Sequence, residues 1–221
     1  DGIARPRSLA PHGCSGVGRV PLVFRGVSPA KLRRMLRVNK RSGWVDNVAR
    51  CPSPNCDERP EGVTVDLLVI HGISLPPGEF GGPWIVDLFT NCLDPARHPY
   101  FADIHRLQVS AHFLIRRDGH LIQFVPTSKR AWHAGISQFD GRERCNDFSI
   151  GIELEGVDDQ AYAEPQYRQL ARLTHAIQRA YPVIADDRIV GHSDVAPGRK
   201  TDPGVAFDWG QYRQLMREQG A

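Results

Sequence analysis

A succession of short apolar segments and amphipathic segments beyond residue 62 constrains the fold of this chain most strongly. Residues 63–70 are predominantly apolar and lie between two glycines, a pattern typical of a buried strand. Residues 149–155 alternate aliphatic side chains with glycine or glutamate, which is the two-residue period of a second strand. Residues 109–115 and 121–125 are rich in β-forming side chains and flank an Asp-Gly turn, so they predict an antiparallel hairpin.

Helical periodicity fills the intervals between these strands. Apolar residues recur at three- and four-residue spacing in residues 84–93 and 166–181, and residues 208–217 predict a terminal helix with Asp208 as its N-cap. Residues 186–190 predict one more short strand. Because strands alternate with helices and the hairpin must be antiparallel, we predict a single-domain α/β fold with a mixed central β-sheet flanked by helices. A chain of 221 residues is long enough to bury one such core.

The amino-terminal segment differs from the rest of the chain in charge and composition. Residues 1–42 carry ten basic residues and one acidic residue, whereas the whole chain has a net charge of only +3, so the remainder is acidic. Residues 1–34 are rich in Gly, Pro, Ser and Arg, and we expect a disordered or non-native extension of a domain that spans residues 35–221. On this hypothesis, translation starts at Met35. The alternative is a basic segment that contacts nucleic acid or an anionic membrane.

Cysteine usage and hydropathy indicate a reducing compartment. Five cysteines, an odd number, make a poor disulfide framework in a chain of this length, and the sequence contains no Cys-x-x-Cys pair. No apolar run approaches the roughly 18 residues that a membrane helix needs, and the amino-terminal segment lacks the apolar core of a signal peptide. We therefore expect a cytoplasmic protein without a membrane partner.

Two histidines follow predicted strands and an aspartate lies on the loop after the second of them, in positions where metal ligands are common. His71 follows the strand of residues 63–70. His192 follows the strand of residues 186–190, and Asp202 lies ten residues further on. Two imidazoles and one carboxylate on neighbouring loops suit a zinc ion with an open fourth position. The alternative is a pair of ordinary histidines at strand ends, and spacing alone does not decide between the two.

Two further residues are candidates for proton transfer and charge stabilisation. Glu153 lies between two aliphatic residues of the strand at 149–155, where a carboxyl group with a raised pKa serves as a general base. The alternative is a carboxylate on a solvent-facing side of the strand. Lys200, two residues before Asp202, either lies on the surface or points at a developing oxyanion.

Five stretches of the sequence carry a family resemblance: residues 71–82 (HGISLPPGEFGG), 109–119 (VSAHFLIRRDG), 130–135 (RAWHAG), 141–156 (GRERCNDFSIGIELEG) and 191–204 (GHSDVAPGRKTDPG). Together they resemble the zinc-dependent N-acetylmuramoyl-L-alanine amidases of type 2, in particular those that act on anhydromuropeptides. The resemblance extends over roughly residues 43–209, nearly the whole predicted domain. It implies the mixed sheet and surrounding helices of the amidases and peptidoglycan recognition proteins, which agrees with the strand and helix pattern.

The resemblance implies a role for each candidate residue. His71, His192 and Asp202 match the ligands of one zinc ion. Glu153 matches the catalytic acid and base, and Lys200 matches the lysine that stabilises the tetrahedral intermediate. The implied reaction is hydrolysis of the amide between the lactyl group of (1,6-anhydro)-N-acetylmuramic acid and the L-alanine of the stem peptide, in cytoplasmic recycling of the cell wall.

Substrate contacts follow from the same resemblance. Trp132 and Arg144 match positions that line the muropeptide groove, where a tryptophan face stacks on a sugar and an arginine binds a peptide carboxylate. The alternatives are a tryptophan in the core and an arginine on the surface. His112 and His133 lie in the shared stretches as well, and we expect a structural or supporting role for both.

Three residues depart from the family pattern; one of them, Ser193 in place of a more usual cysteine, is expected to change little. Gly72 stands where the family usually has an asparagine that contacts substrate, and Gln108 stands where some members have an arginine. Neither belongs to the ligand set or the catalytic pair, so we expect weaker substrate binding with the reaction intact.

Three classes of function compete. The first is a cytoplasmic amidase that acts on anhydromuropeptide as a monomer, without a nucleic-acid or membrane partner. The second is an amidase that acts on intact peptidoglycan in the periplasm, which a signal peptide or lipobox would favour. The third is a non-catalytic peptidoglycan-binding module, and the presence of all three ligand residues together with Glu153 argues against it.

Overall fold

Strands and helices alternate along the chain. The structure, a computed structural model, describes residues 35–220, so the predictions for residues 1–34 lie outside the described residues. The strands are β1 (Ala49–Arg50), β2 (Cys56–Asp57), β3 (Leu67–Ile73), β4 (Phe113–Ile115), β5 (Leu121–Gln123), β6 (Arg130–Ala131), β7 (Gln138–Phe139), β8 (Arg142–Glu143), β9 (Ser149–Glu155) and β10 (Ile189–Gly191). The α-helices are α1 (Trp84–Phe89), α2 (Pro99–Ile104), α3 (Glu164–Ala180), α4 (His192–Val195) and α5 (Trp209–Gly220).

Six strands form one central sheet in the order β1-β5-β4-β9-β3-β10. β4 and β5 pair antiparallel as the predicted hairpin, whereas β4, β9, β3 and β10 run parallel to one another. The predicted mixed sheet is therefore confirmed. Because β9, β3 and β10 are parallel, their carboxyl ends lie at one edge of the sheet, which is where ligands bind in open α/β sheets.

The two faces of the central sheet pack against different parts of the chain. Leu68 and Ile70 of β3 lie in the main core, together with the apolar stripe of α3. Leu67 and Val69 belong to a smaller cluster on the opposite face. Since side chains alternate along a strand, His71 continues the series of the smaller cluster and projects from the face away from α3.

The bounds of β3 differ from the prediction. The strand begins four residues later than residue 63 and continues to Ile73, so His71 lies within the strand instead of after it. The strand is longer at its carboxyl end because its parallel pairing with β9 continues until Ile73 lies opposite Glu155. The predicted bounds of β9 itself, 149–155, are correct.

The predicted helices are present with shifted ends. α1 stops four residues short of residue 93, since Asn91 adopts a left-handed conformation with φ of 59°. α3 spans nearly the predicted 166–181, and α5 begins directly after Asp208, whose Oδ1 accepts a hydrogen bond from the Gln211 N–H at 2.9 Å as expected of an N-cap. None of the helices in the described region is long and apolar enough to cross a bilayer.

Several short elements are absent from the sequence prediction. α2, α4 and the two-residue strands carry too little periodicity to be recognised, and residues 186–188 form a 3₁₀ turn that precedes the short strand β10. The β4 and β5 strands of the hairpin are three residues each, shorter than the β-rich runs that predict them. These elements matter because α4 and β10 carry part of the site described next.

Candidate functional site

His71, His192 and Asp202 come together at the carboxyl edge of the central sheet, although 121 residues separate the two histidines. β3 and β10 are parallel neighbours with Gly191 opposite Ile70, so the next residue of each strand, a histidine in both cases, reaches the same place. His192 is the first residue of α4, and Asp202 lies in a turn beyond that helix. The structure therefore brings together the three residues that the sequence singles out.

The ligand atoms of these residues have spacings suited to one metal ion. His71 Nδ1 lies 3.0 Å from His192 Nδ1. Asp202 Oδ2 lies 3.3 Å from the first of these nitrogens and 3.0 Å from the second. Tetrahedral zinc with bonds of about 2.0–2.1 Å to nitrogen and oxygen holds neighbouring ligand atoms about 3.3 Å apart. A triangle of this size fits zinc and leaves one position for a ligand that is not protein.

Hydrogen bonds on the far side of each imidazole decide which nitrogen faces the cluster. His192 Nε2 lies 3.2 Å from the carbonyl oxygen of Ala134, which can only accept, so Nε2 carries the proton. His71 Nε2 lies 2.9 Å from Nδ1 of His133, whose Nε2 lies 3.2 Å from Oγ of Ser149. With Nε2 as the donor, each ligand histidine presents the lone pair of Nδ1 to the cluster. Outer hydrogen bonds of this kind are usual for histidines that bind metals.

Protonation states within the cluster also suit a cation. Burial lowers the pKa of His71 to about 4 despite the opposing effect of Asp202, so this imidazole is neutral at pH 7. Burial opposes ionisation of Asp202, but its interactions with His192 and His71 outweigh burial and hold the pKa of the carboxyl below its usual value. Neutral imidazole and ionised carboxylate are the forms that bind metals. A cation between these lone pairs would relieve their mutual repulsion, so the donor set fits zinc.

Glu153 lies directly beside His71, because the two residues are paired in the register of β3 and β9. Its side chain is buried, and its Oε2 has no hydrogen-bond partner among the described residues, so the solvent-facing alternative is wrong. Burial and the charge of Asp202 raise the pKa of Glu153 well above its usual value, although Lys200 acts in the opposite direction. A buried carboxyl group with a free oxygen beside the cluster is suited to accept and return a proton near neutral pH.

Lys200 lies on the loop between α4 and Asp202 and is exposed. Its backbone N–H donates to the carbonyl of Ala196 at 3.0 Å, which anchors this part of the loop to the end of α4. Its ammonium group makes no ion pair within residues 35–220, and its positive charge lowers the pKa of both His71 and Glu153. The lysine therefore supplies an uncommitted cation near the cluster.

Trp132 and Arg144 are connected through one network of ion pairs and hydrogen bonds. Trp132 follows β6, and its indole N–H donates to Oδ1 of Asp57 at 3.2 Å. Arg144 has a side chain that is 69% exposed, with Nε 3.3 Å from Oδ2 of Asp147. Arg130 forms ion pairs with both of these aspartates. The tryptophan is partly buried and held by its edge, and the arginine is on the surface with a single carboxylate partner.

The groups that support the ligand histidines are less apparent in the sequence. A Cβ atom on Gly151 would lie 2.5 Å from the ring of His133, so glycine at this point of β9 lets that ring pack against the sheet. The partly buried guanidinium of Arg59 holds the surrounding loops by donating to the backbone carbonyl groups of Thr127, Asn146, Asp147 and Ser149. A glycine inside an otherwise aliphatic strand, as Gly151 is in β9, is the sequence signal of a close approach such as that of the His133 ring.

Two imidazoles and one carboxylate at the edge of a mixed sheet, with a buried glutamate beside them, are the arrangement expected of a hydrolase that uses a single metal ion. The chain belongs to the N-acetylmuramoyl-L-alanine amidase family, whose model matches residues 61–205. The resemblance inferred from the five sequence stretches is therefore confirmed.

Individual relatives agree with this assignment. The 1,6-anhydro-N-acetylmuramyl-L-alanine amidase AmpD of Escherichia coli (strain K12) is 60% identical over 177 residues, which are 80% of this chain and 96% of the relative. A crystal structure of a selenomethionine derivative of AmpD is also 60% identical, covers 79% of this chain and 97% of its own, and superposes with a TM-score of 0.77. The E. coli amidase AmiD, solved with anhydro-N-acetylmuramic acid-L-Ala-D-gamma-Glu-L-Lys, is 30% identical with a TM-score of 0.52 and covers 72% of this chain and 60% of its own.

Proposed function

We propose that this chain is a zinc-dependent N-acetylmuramoyl-L-alanine amidase. Its substrate is a 1,6-anhydromuropeptide, in which it hydrolyses the amide between the lactyl group of the sugar and the L-alanine of the stem peptide. The observation that carries the proposal is the position of Glu153, a buried carboxyl group with one oxygen that no group within residues 35–220 contacts by a hydrogen bond, beside three ligand atoms spaced for one zinc ion. The 60% identity to a relative named for this reaction supports it, as does the anhydromuropeptide in the AmiD complex.

His71 and His192 would hold zinc through Nδ1, and Asp202 through Oδ2, since these are the atoms that converge. When bound, zinc would act as a Lewis acid, lowering the pKa of a water molecule and polarising a carbonyl group. The chain keeps the ligands in place, since His133 and the Ala134 carbonyl fix the orientation of the two imidazoles from outside.

Glu153 moves the proton that the reaction requires. As the oxygen of water adds to the amide carbon, Glu153 takes a proton from the water. As the C–N bond then breaks, Glu153 gives that proton to the departing amine of L-alanine. A raised pKa suits both steps, because proton transfer is most efficient when the pKa of the group lies near the working pH. The ammonium group of Lys200 stabilises the negative charge that develops on the carbonyl oxygen.

Trp132 and Arg144 are the proposed substrate contacts. The indole N–H of Trp132 is held by Asp57, which leaves the ring face for a sugar. Arg144 exchanges its contact with Asp147 for a carboxylate of the stem peptide, which a guanidinium binds with two parallel hydrogen bonds.

We place this reaction in the cytoplasm, in the recycling of cell-wall fragments, and we propose that residues 35–221 form the amidase domain and act as a monomer. Four cysteines lie in the described part of the chain, and all four are free thiols, which suits a reducing compartment. They are Cys51, Cys56, Cys92 and Cys145.

Hydrolysis of 1,6-anhydro-N-acetylmuramyl-L-Ala-D-γ-Glu-L-Lys by the purified protein tests the proposal. We expect the zinc-loaded protein to release the tripeptide, the chelated protein to release none, and added zinc to restore the reaction. Intact peptidoglycan, incubated in parallel, is expected to be a poor substrate. Absence of tripeptide with the zinc-loaded protein would contradict the activity, and faster cleavage of intact peptidoglycan would contradict the recycling role.

A further inference from the structure

The turn that carries Asp202 is secured by a hydrogen bond from outside the ligand set. The other two ligand residues lie in β3 and at the start of α4, whereas Asp202 lies in a turn. Directly after it, the carbonyl oxygen of Pro203 accepts a hydrogen bond from the hydroxyl of Tyr162 at 2.9 Å. The tyrosine thus holds the turn at the residue that directly follows the ligand.

Tyr162 reaches the turn from a buried aromatic cluster. The residue lies between β9 and α3 and is 6% exposed. Its ring centroid lies 5.6 Å from that of Phe207 and 6.5 Å from that of Tyr167, both in edge-on contacts. Since the ring is held by this packing, the position of its hydroxyl oxygen is fixed as well.

Two glycines make room for the tyrosine. A Cβ atom on Gly72 would lie 2.3 Å from the hydroxyl oxygen of Tyr162, and a Cβ atom on Gly156 would lie 2.3 Å from its ring carbon Cε1. The next neighbours of a Cβ on Gly72 are Cα of Pro203 at 3.5 Å and Cζ of Tyr162 at 3.6 Å, which are ordinary contact distances. The hydroxyl oxygen alone therefore takes the space of a side chain at residue 72.

We propose that Tyr162 is a positioning residue for the metal site, which holds Asp202 in ligand geometry through the Pro203 carbonyl, and that the hydroxyl keeps this place because residue 72 is glycine. The inference rests on the proposed zinc site, since the tyrosine acts through one of its ligands. The sequence suggests only that Gly72, directly after His71, lacks a substrate contact. On this inference the glycine also has a positive role, because the absence of a side chain leaves room for the hydroxyl of Tyr162.

A double-mutant cycle read out by metal affinity tests the inference. Zinc affinity is measured by chelator competition for the wild type, Tyr162→Phe, Gly72→Ala and the double variant, and the Co²⁺ absorption spectrum of each reports ligand geometry. Tyr162→Phe is expected to weaken zinc binding about tenfold, the lower end of the loss of about 10- to 100-fold that follows removal of a group hydrogen-bonded to a metal ligand, because the tyrosine holds the residue next to the ligand. Gly72→Ala is expected to do at least as much, because its methyl group displaces the hydroxyl. In the double variant the methyl group meets only ordinary contacts, so its affinity is expected to match that of Tyr162→Phe.

Tyr167→Phe is the matched control. It removes another buried hydroxyl of the same aromatic cluster, one that accepts from the Asp208 N–H at 2.7 Å. We expect a lower unfolding temperature but unchanged zinc affinity and an unchanged Co²⁺ spectrum. Wild-type zinc affinity in Tyr162→Phe would overturn the inference while leaving the zinc site intact. A double variant whose loss of zinc affinity equals the product of the two single losses would do the same. A wild type that binds no zinc would overturn the proposed function and this inference with it.

Discussion

His71 and Glu153 stand opposite each other in the parallel pair β3 and β9, and both side chains project from the face of the sheet away from α3. The proposed metal ligand and the proposed proton-transfer group are thus held by neighbouring strands in the centre of the sheet. Sites built on regular elements keep their geometry more closely than sites built on loops. Because the backbone at both positions is rigid, a substitution of either side chain should report the loss of that chemical group and not a movement of the site.

Glu153→Gln is expected to slow turnover strongly without removing the metal. The amide keeps the size of the side chain but cannot accept a proton, so kcat falls by about 10²- to 10⁴-fold, the usual contribution of a general base. Zinc content, measured by metal analysis, is expected to stay at one ion. Glu143→Gln, which changes an exposed carboxylate, is the control and is expected to retain activity. Full activity in Glu153→Gln would reject the assigned base.

The acid limb of the pH–activity profile is expected to report Glu153. Since burial raises the pKa of this carboxyl, it gains a proton, and ceases to act as a base, at a higher pH than an ordinary glutamate. On lowering the pH, kcat/KM is therefore expected to fall before the usual glutamate pKa of about 4.3 is reached. Zinc content must be followed across the same pH range, so that loss of metal is separated from protonation. A limb at the ordinary glutamate value would contradict the assignment.

Removal of the metal is expected to destabilise the fold. A ligand that binds only the folded state adds about 4 kcal/mol when its free concentration is 1,000 times Kd. Chelation should therefore lower the thermal unfolding midpoint, and excess zinc should restore it. Asp202→Ala, which removes one ligand, should unfold at the same temperature with or without chelator. A chelator effect of equal size in both proteins would mean that the metal binds elsewhere.

The buried ion pair between Arg116 and Glu155 anchors the loop that follows β3. The two side chains lie 3.0 Å apart, and Glu155 accepts the Gly81 N–H at 2.7 Å while Arg116 donates to the Gly82 carbonyl at 2.8 Å. Arg116→Met leaves a buried carboxylate without its partner and is expected to cost about 3–5 kcal/mol in urea denaturation. Adding Glu155→Gln to that variant should recover part of the loss. Strictly additive effects would show that the pair is not coupled.

Local sequence patterns determined the elements whose physics is local. The bounds of β9 follow from a two-residue alternation, the β4–β5 hairpin follows from an Asp-Gly turn, and the capping by Asp208 follows from side-chain chemistry. The end of β3 was misplaced because its last residues are held by pairing with β9, which a local pattern does not contain.

By itself the sequence also determined the family and, through its motifs, the candidate ligands His71, His192 and Asp202. Only the tertiary structure decided how these residues are supported. The contact of His71 with His133 joins positions 62 residues apart, and the room for Tyr162, which lies between β9 and α3, depends on Gly72 in β3. Such contacts arise when strands pair and side chains pack, so neither their distances nor the burial that raises the pKa of Glu153 can be deduced from the order of residues alone.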